Sequence, residues 1–394
     1  MENFDYYAPT RVVFGKDSES RLGELIKEQN CKKVLLHYGG KSAEKSGLLD
    51  KVRTVLKDSG IEYISLGGVV PNPRLSLVYK GIEMSKEAGV DFILAVGGGS
   101  VIDSAKAIGY GLYNDFDVWD IYDWKEKPKG SIPVGCVLTI SAAGSEMSDS
   151  SVISNDMVDG GFIKRGVNSP YGRCKFAVLN PELTYSLPEY QTSCGVTDII
   201  MHTLERYFAP VQTMQMTDGI AEALIRVAID NGRILMKEPE NYDARAEIMW
   251  AGSLSHNGIT GCGNAGGDWA THQLEHELSG MFDVAHGAGL AAVWGSWARY
   301  VYKENPARFA CLAGSVFGIK EDTDEQSALK GIEAMEKVFS DLNMPLNIHD
   351  LIGREVTDAE IAEMSKKCAH HDRKIGGFKK LDINDMENIY RMAK

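Results

Sequence analysis

The chain lacks the cysteine patterns of disulfide-bonded proteins and of thiolate metal sites. The 394 residues include seven cysteines, an odd number, and no two of them have C-x-x-C spacing. Their pattern lacks the signature of a disulfide framework and that of a thiolate metal site. Scattered reduced thiols are typical of a cytosolic protein, and we therefore expect a cytoplasmic location.

The chain also lacks a net positive charge and long apolar runs. The formal net charge is −13, so nucleic acid and anionic membranes are poor partners. No window approaches the roughly 20 apolar residues of a membrane span, and no basic stretch precedes an apolar run at the N-terminus. We expect neither a membrane segment nor a signal peptide. The composition, 44% hydrophobic and 25% charged, indicates a globular protein of two or three domains.

Histidine is rare as well, yet four of the nine histidines lie in or next to two short segments. Asp198 and His202 have i, i+4 spacing, which places both side chains on one face of a helix. His272 and His276 repeat this spacing, and His286 follows ten residues later. A carboxylate and imidazoles suit a divalent ion such as Fe²⁺ or Zn²⁺. The predicted ligands of one such ion are Asp198, His202, His272 and His286.

The alternative interpretation is that these are ordinary polar residues of helices. A single D-x-x-x-H or H-x-x-x-H pair favours that reading. Two pairs in helical segments rich in Ala and Gly, with a further His nearby, favour the metal site instead.

The two halves of the chain differ in periodicity. Up to residue 187, β-branched runs alternate with helical periods, which predicts an α/β domain with a mostly parallel sheet. The predicted strands are 33–37, 61–65, 92–96, 132–138 and 176–179, and the predicted helices are 42–58 and 75–88. From residue 188 to residue 394 only helical periods remain, such as 217–236 and 242–254. We expect two domains, 1–187 and 188–394, that pack directly and leave a cleft for a small molecule.

A glycine-rich turn follows the strand at 92–96. Gly97–Gly99 opens a helix, so the backbone can approach a pyrophosphate whose charge the helix N-terminus favours. The spacing is not that of the G-x-G-x-x-G fingerprint. Ser100 and Asp103 also match an S-x-x-D capping box, and helix capping explains both residues without any cofactor.

A second loop follows the strand at 132–138. Its small and hydroxylic residues, including Thr139 and Ser141, can hold a ribose or a phosphate. An ordinary turn is the alternative interpretation.

Four motifs occur in one order along the chain. They are G-G-G-S-x-x-D-x-A-K at 97–106, G-S-E at 144–146, G-V-T-D-x-x-x-H at 195–202, and one histidine motif at 272–287, in which H-x-x-x-H is followed after nine residues by H-G. Together they resemble the iron-dependent (group III) alcohol dehydrogenases, with the NADPH-dependent butanol dehydrogenase branch as the nearest likeness. The resemblance runs from Tyr7 to at least Trp297. One departure is Ala143, where the family usually has Thr.

The resemblance implies a Rossmann-like dinucleotide-binding domain and a helical domain with a metal between them, as in the dehydroquinate synthase-like architecture. It implies the same four metal ligands, a homodimer, and His276 as a non-ligand facing the cleft. By the same matching, the cofactor contacts are Gly98, Gly99, Ser100, Asp103, Thr139 and Lys164. Apart from the resemblance, Lys164 is readable as a solvated loop lysine.

The choice between NAD and NADP depends on the end of the first predicted strand. A carboxylate there would bind the ribose 2′-OH and repel a 2′-phosphate. The segment Gly39-Gly40-Lys41-Ser42 has no Asp or Glu, and Lys41 and Ser42 can hold a phosphate instead. We predict NADP(H) in preference to NAD(H). The alternative is that Lys41 simply faces water.

These expectations combine in a reversible hydride transfer between NADP(H) and small aliphatic aldehydes or primary alcohols. The metal polarises the carbonyl oxygen, and the proton comes from metal-bound water or from His276. The alternative role of His276 is to orient a ligand through a hydrogen bond.

Other functions fit parts of the pattern. A polyol (glycerol-type) dehydrogenase or a dehydroquinate synthase-like cyclase shares the architecture, but the cyclase needs several Lys and Arg for its anionic substrate, and the metal segments have few. A metal-dependent hydrolase would use the metal to activate water, but it leaves the glycine-rich turn unexplained.

Overall fold

The computed structural model describes residues 1–40, 42–158, 161–211 and 214–394. The chain divides into two compact units. One is formed by Tyr7–Leu187, and the other by Pro188–Lys394 together with Met1–Tyr6. The sequence analysis assigns the first six residues to the α/β domain, whereas the structure groups them with the helical unit.

The unit of Tyr7–Leu187 is built around a parallel sheet. Its described strands are β1 (Arg11–Phe14), β2 (Lys33–Tyr38), β3 (Glu62–Leu66), β4 (Phe92–Gly97), β5 (Val134–Leu138), β6 (Ser150–Asn155), β7 (Ile163–Asn168) and β8 (Phe176–Leu179). β4 and β5 are buried along their whole length, as expected for apolar strands of a sheet that is covered on both faces. The predicted α/β class is confirmed.

Helices connect these strands. They are α1 (Leu22–Lys27), α2 (Ser42–Lys45), α3 (Leu48–Asp58), α4 (Leu75–Ala88), α5 (Gly99–Tyr113) and α6 (Val118–Tyr122). The single helix predicted over 42–58 is in fact two, because Gly47 between them has φ 76°, a left-handed conformation that glycine adopts at little cost.

The order of the strands indicates where the sheet can bind a ligand, at the carboxyl ends of its strands. In the described residues, six parallel strands have the order β1-β8-β5-β4-β2-β3. β3 and β4 lie on opposite sides of β2, so the order reverses between β2 and β4. Ligands of open α/β sheets bind outside the carboxyl ends of the strands at such a switch point.

The three loop segments predicted to bind the cofactor follow three adjacent strands, at the carboxyl ends of those strands. Tyr38 at the end of β2 is in register with Val96 of β4, and Gly97 at the end of β4 is in register with Leu138 of β5. The loops after β2, β4 and β5 therefore start side by side.

An antiparallel hairpin of β6 and β7 lies outside this sheet. The sequence analysis did not predict it, because both strands are rich in polar residues and β7 contains a glycine. Lys164 lies on β7 and is 5% exposed, so its interpretation as a solvated loop lysine is wrong.

The second unit is helical, and no strand longer than an isolated bridge occurs in its described residues, as predicted. Its helices are α7 (Glu189–Tyr207), α8 (Gln215–Leu235), α9 (Tyr242–His256), α10 (Ala270–Phe282), α11 (His286–Val301), α12 (Pro306–Phe317), α13 (Asp324–Asp341), α14 (Ile348–Ile352), α15 (Asp358–Cys368) and α16 (Ile383–Met392). α7, α10 and α11 contact the same apolar core. In the described part of the chain, no helix combines the length and apolar character needed to cross a bilayer.

Candidate metal and cofactor sites

Three helices of the second unit bring the four predicted metal ligands together. Asp198 and His202 lie one turn apart on α7, His272 lies on α10, and His286 is the first residue of α11. The Oδ1 atom of Asp198 is 3.5 Å from Nδ1 of His202 and 3.8 Å from Nε2 of both other histidines. Two ligand atoms of a tetrahedral ion with bonds of about 2.1 Å lie about 3.4 Å apart. All three histidines thus lie near one carboxylate oxygen, and the ligand atoms of Asp198, His202 and His272 are close enough to one another to hold one divalent ion.

The converging atoms lack hydrogen-bonding partners. Asp198 Oδ1, His202 Nδ1 and His272 Nε2 are buried and make no hydrogen bond with any described residue. Leaving a buried polar atom unsatisfied costs about 1–3 kcal/mol. A cation that accepts electron pairs from all three atoms removes this cost, so the donor set fits a metal.

The charge state of His202 also suits a ligand. Burial lowers the pKa of His202 well below its usual range, and the neighbouring His256 and His272 add to this shift. The imidazole is therefore neutral at pH 7, which is the form that binds a metal.

Two buried glutamates contact the outer nitrogens of two of these histidines. Oε1 of Glu205 accepts a hydrogen bond from the backbone amide of His272 at 2.9 Å and lies 3.0 Å from its Nδ1. Glu275 contacts Nδ1 of His286 and accepts a hydrogen bond from the hydroxyl of Ser279. Both imidazoles thus direct Nδ1 to a carboxylate and Nε2 toward Asp198.

Neither glutamate was among the residues predicted for the site, although their spacing holds a signal. Glu205 follows Asp198 by seven positions, and Glu275 follows His272 by three. Each glutamate therefore shares a helix face with a predicted ligand. These spacings make both residues candidates, but surface glutamates share them, and only burial in the folded chain distinguishes Glu205 and Glu275.

His276, the predicted catalytic residue, lies one turn after His272 on α10. Its side chain is half-buried, and its ring centroid is 5.8 Å from that of His286. The possible metal-binding atoms of His276 lie close to those of Glu275 and His286, whereas those of His272 lie close to those of Asp198 and His202. The structure thus places His276 beside the ligand cluster and outside its centre.

Two aromatic rings outside the predicted ligand set pack against the predicted ligands. The ring centroid of His256, at the end of α9, is 4.0 Å from that of His202. The ring centroid of Trp269, which lies just before α10 and has φ 65°, is 5.3 Å from that of His272. These contacts restrict the rotation of the ligand rings.

A glycine allows α11 to bring His286 into the cluster. A Cβ atom on Gly287 would lie 2.2 Å from the backbone oxygen of Cys194 on α7. Real Cβ atoms do not approach a carbonyl oxygen so closely, and backbone atoms do not yield easily. The His-Gly pair at the start of α11 is therefore needed for the close contact of α11 with α7.

The two predicted cofactor loops of the α/β unit contact each other. The amide of Thr139 donates to the backbone oxygen of Gly97 at 3.1 Å. A Cβ on Gly99 would lie 3.2 Å from both Ala143 Cβ and Ser145 Oγ. The glycine-rich turn and the loop after β5 thus form one surface at the switch point of the sheet.

Backbone and hydroxyl groups dominate this surface. Gly98 is extended and precedes the first turn of α5, and Ser100 is half-buried within that turn. The Ser141 hydroxyl is buried and makes no hydrogen bond with the described residues. A hydroxyl that lacks a protein partner in this loop suits a bond to a phosphate or a ribose oxygen.

The capping-box interpretation of Ser100 and Asp103 is wrong. α5 begins at Gly99 without a side-chain cap, and the Asp103 carboxylate instead accepts a hydrogen bond from the amide of Val152 on β6 at 3.0 Å. Burial raises the pKa of Asp103 to about 6, and the nearby positive charges of Lys106 and Lys164 oppose this shift. Asp103 therefore connects α5 to the hairpin that contains Lys164.

The segment after β2 is only partly described. The backbone oxygen of Gly39 accepts a hydrogen bond from Gly68 at 2.9 Å, a Cβ on Gly40 would meet no atom within 4 Å, and Ser42 begins α2. Lys41, the predicted phosphate contact, lies outside the described residues.

A parallel sheet with glycine-rich loops at its switch point, joined in one chain to a carboxylate–histidine cluster, is typical of a metal-dependent nicotinamide oxidoreductase. Family models narrow this class. Residues 9–181 match the iron-containing alcohol dehydrogenase model, and residues 192–394 match the C-terminal model of the Fe-containing alcohol dehydrogenase family. The chain belongs to the iron-containing alcohol dehydrogenase family.

Individual relatives agree with this assignment. The chain is 40% identical to the probable NADH-dependent butanol dehydrogenase 1 of Bacillus subtilis (strain 168) and 35% identical to the NADPH-dependent aldehyde reductase YqhD of Escherichia coli (strain K12), each match covering 100% of both chains. It superposes on the crystal structure of NADH-dependent butanol dehydrogenase A from Thermotoga maritima with a TM-score of 0.95 and 37% identity, covering 100% of this chain and 99% of that one. The prediction of an alcohol dehydrogenase is confirmed.

Proposed function

We propose that the protein transfers a hydride reversibly between NADP(H) and small aliphatic aldehydes or primary alcohols of the butanal and butanol type. The observation that carries this proposal is the convergence of four ligand side chains, three of them with buried atoms that lack hydrogen-bonding partners. The printed names of relatives, butanol dehydrogenases and an aldehyde reductase, support the substrate class.

Each unit has its own task in this proposal. Residues 7–187 bind the dinucleotide, and residues 188–394 bind the metal through Asp198, His202, His272 and His286. A bound Fe²⁺ or Zn²⁺ ion supplies the Lewis acidity that polarises a substrate carbonyl. His276, half-buried beside His286, exchanges the proton.

The dinucleotide is held mainly by the glycine-rich surface. The proposed contacts are Gly39, Gly40, Lys41, Ser42, Gly98, Gly99, Ser100, Asp103, Thr139, Ser141 and Lys164. The preference for NADP(H) rests on the absence of Asp and Glu from the sequence after β2, since a carboxylate there would repel a 2′-phosphate. The names of the relatives include both NADH and NADPH, so they support either cofactor.

One assay tests the metal, the cofactor and the substrate together. The protein is stripped of metal, Fe²⁺ or Zn²⁺ is added back, and the oxidation of NADPH by butanal is followed, with NADH in a parallel reaction. Metal-dependent turnover that favours NADPH is the expected result. Turnover that favours NADH would overturn only the cofactor preference, and tight metal binding without turnover would instead favour a cyclase or a hydrolase.

We also propose a cytoplasmic homodimer. In the described residues β1 is the outermost strand of the sheet, and pairing of this strand with its counterpart in a second copy would form a dimer. Light scattering should give about twice the chain mass of 43.2 kDa.

A further inference from the structure

We infer that Glu205 and Glu275 are positioning residues of the metal site, each of which holds one histidine with its Nε2 atom toward the ion. The inference rests on the proposed ligand set. It divides the ligands into two carboxylate-supported histidines, His272 and His286, and one histidine, His202, that packs instead against the ring of His256.

The pocket around Glu275 is shaped to this side chain. Glu275 is fully buried, contacts Nδ1 of His286 and accepts a hydrogen bond from the Ser279 hydroxyl. A Cβ on Gly289 would lie 2.8 Å from Cγ of Glu275, so the glycine leaves room for the carboxylate. Burying a carboxylate is costly unless it is hydrogen-bonded to its neighbours, and here those neighbours include a proposed ligand.

Glu205 fixes both the backbone and the ring of His272. It is 2% exposed, and its Oε1 atom lies within hydrogen-bond distance of the backbone nitrogen and of Nδ1 of the same histidine. Because Glu205 lies on α7 with Asp198 and His202, it also connects α10 to the helix that supplies the first two ligands.

Both contacts have the same chemical consequence. A histidine that donates Nδ1–H to a carboxylate is locked in the tautomer whose Nε2 carries a lone pair, and the negative charge makes that nitrogen a better electron donor. Loss of such a partner typically weakens metal binding by about 10- to 100-fold. His286 has the more exposed side chain, 26% against 7% for His272, so it depends more on its glutamate.

The test compares the metal affinities of three matched variants. Glu205→Gln and Glu275→Gln preserve side-chain shape but remove the charge. Glu222→Gln is the control, because Glu222 accepts a hydrogen bond from the hydroxyl of Tyr207 and contacts no proposed ligand. Competition with a chelator gives the Zn²⁺ dissociation constant, and the visible spectrum of the Co²⁺ form reports ligand geometry.

We expect about 10-fold weaker binding for Glu205→Gln, nearer 100-fold for Glu275→Gln, and no change for the control. The Co²⁺ spectrum should shift in the first two variants only. Wild-type affinity and an unchanged spectrum in both would overturn the inference, while loss of affinity in Asp198→Ala would show that the ligand set still stands. A wild-type protein that binds no divalent ion would overturn the ligand set and this inference together.

Two further measurements separate positioning from other roles. Ser279→Ala removes a hydroxyl that contacts both the Glu275 carboxylate and the backbone oxygen of Val284. If Glu275 acts through its orientation, this variant should bind Zn²⁺ severalfold more weakly while the metal-free protein stays folded. Unchanged affinity in a folded Ser279→Ala variant would contradict this role of the Ser279 contact. Two ions per chain would also overturn the inference, because Glu275, His276 and His286 would then be ligands of a second ion.

Discussion

The proposed metal site of the helical unit and the glycine-rich surface of the α/β unit are built in opposite ways. The cluster consists of long polar side chains fixed on buried helices, such as Asp198 on α7 and His272 on α10. The glycine-rich surface consists of backbone and small groups, and its close contacts exist because Gly99 has no side chain.

This difference determines how each region fails. A site made of side chains fails when an atom is lost, since no neighbour replaces a missing donor. A site made of backbone fails when an atom is gained, since the new atom fills the space that the ligand or a neighbouring loop requires. Substitutions that remove a side chain and substitutions that add one therefore test this comparison.

The largest expected effect is the loss of a ligand. His272→Ala should abolish metal loading and lower kcat/KM for butanal by about a thousandfold or more, because several kcal/mol of charge stabilisation depend on the ion. His276→Ala changes the next turn of the same helix. It should retain one metal per chain while kcat falls about a hundredfold.

Metal analysis and steady-state kinetics check both variants, and metal retention in His272→Ala would contradict the ligand assignment.

An added atom should also damage the proposed metal site, but only at a glycine that is in close contact with the backbone of another helix. Gly287→Ala places a Cβ 2.2 Å from the Cys194 oxygen, which forces α11 away from α7. We expect a loss of about 3 kcal/mol in the free energy of unfolding, together with weaker Zn²⁺ binding.

The control is Gly219→Ala in α8, where a Cβ would meet no atom within 4 Å. Alanine is the better helix former, so this variant should be more stable by up to about 1 kcal/mol. Chemical denaturation of the two metal-free variants gives the comparison, and equal stability would argue against the close contact of α11 with α7.

The same difference explains what the sequence could predict. Helix geometry links i and i+4, so Asp198 and His202 could be paired from spacing alone. A strand followed by glycines could be recognised at Gly97–Gly99, whereas the adjacency of the three loops came only from the strand order in the structure. The fold class and the family followed from these patterns, and both are confirmed.

The remaining features depend on tertiary contacts that leave no local pattern. Asp103 has the spacing of a capping residue, but its carboxylate reaches Val152, 49 positions away, because α5 packs against β6. Glu205 and Glu275 have helical spacings that any surface glutamate can share, and only burial distinguishes them. Their contacts with the histidines were therefore not predictable from residue type alone.

A smaller effect is expected where an atom is gained in the α/β unit. A Cβ on Gly99 would meet Ala143 and Ser145 at 3.2 Å, and side chains yield more easily than backbone. Gly99→Ala should change the free energy of unfolding by about 1 kcal/mol or less. It should nevertheless weaken NADPH binding about tenfold, because the methyl group would push apart the two loops that we propose to hold the phosphate. Titration of NADPH fluorescence measures the affinity. Zn²⁺ binding should not change, and unaltered NADPH affinity would remove this turn from the cofactor site.

The smallest effect at neutral pH concerns the one buried histidine of the α/β unit. His37 on β2 donates Nδ1–H to the backbone oxygen of Leu66 and accepts a hydrogen bond from Ser104 on α5, both at 2.9 Å. It therefore ties the helix that begins at the glycine-rich turn to the sheet. His37→Gln should cost about 1 kcal/mol at pH 7, since it weakens two hydrogen bonds without leaving a charge.

The pH dependence of that cost gives the sharper test. Burial lowers the pKa of His37 to about 4, whereas an unfolded histidine titrates near 6.5. Between these values the unfolded state binds the proton first, so His37 reduces the free energy of unfolding as the pH falls, by about 3 kcal/mol near pH 4. The Gln variant lacks this loss, and its deficit should shrink and then reverse below pH 6. Urea denaturation of both metal-free proteins at pH 7, 6, 5 and 4 measures the difference, and a deficit that stays constant with pH would show that His37 is not held neutral by burial.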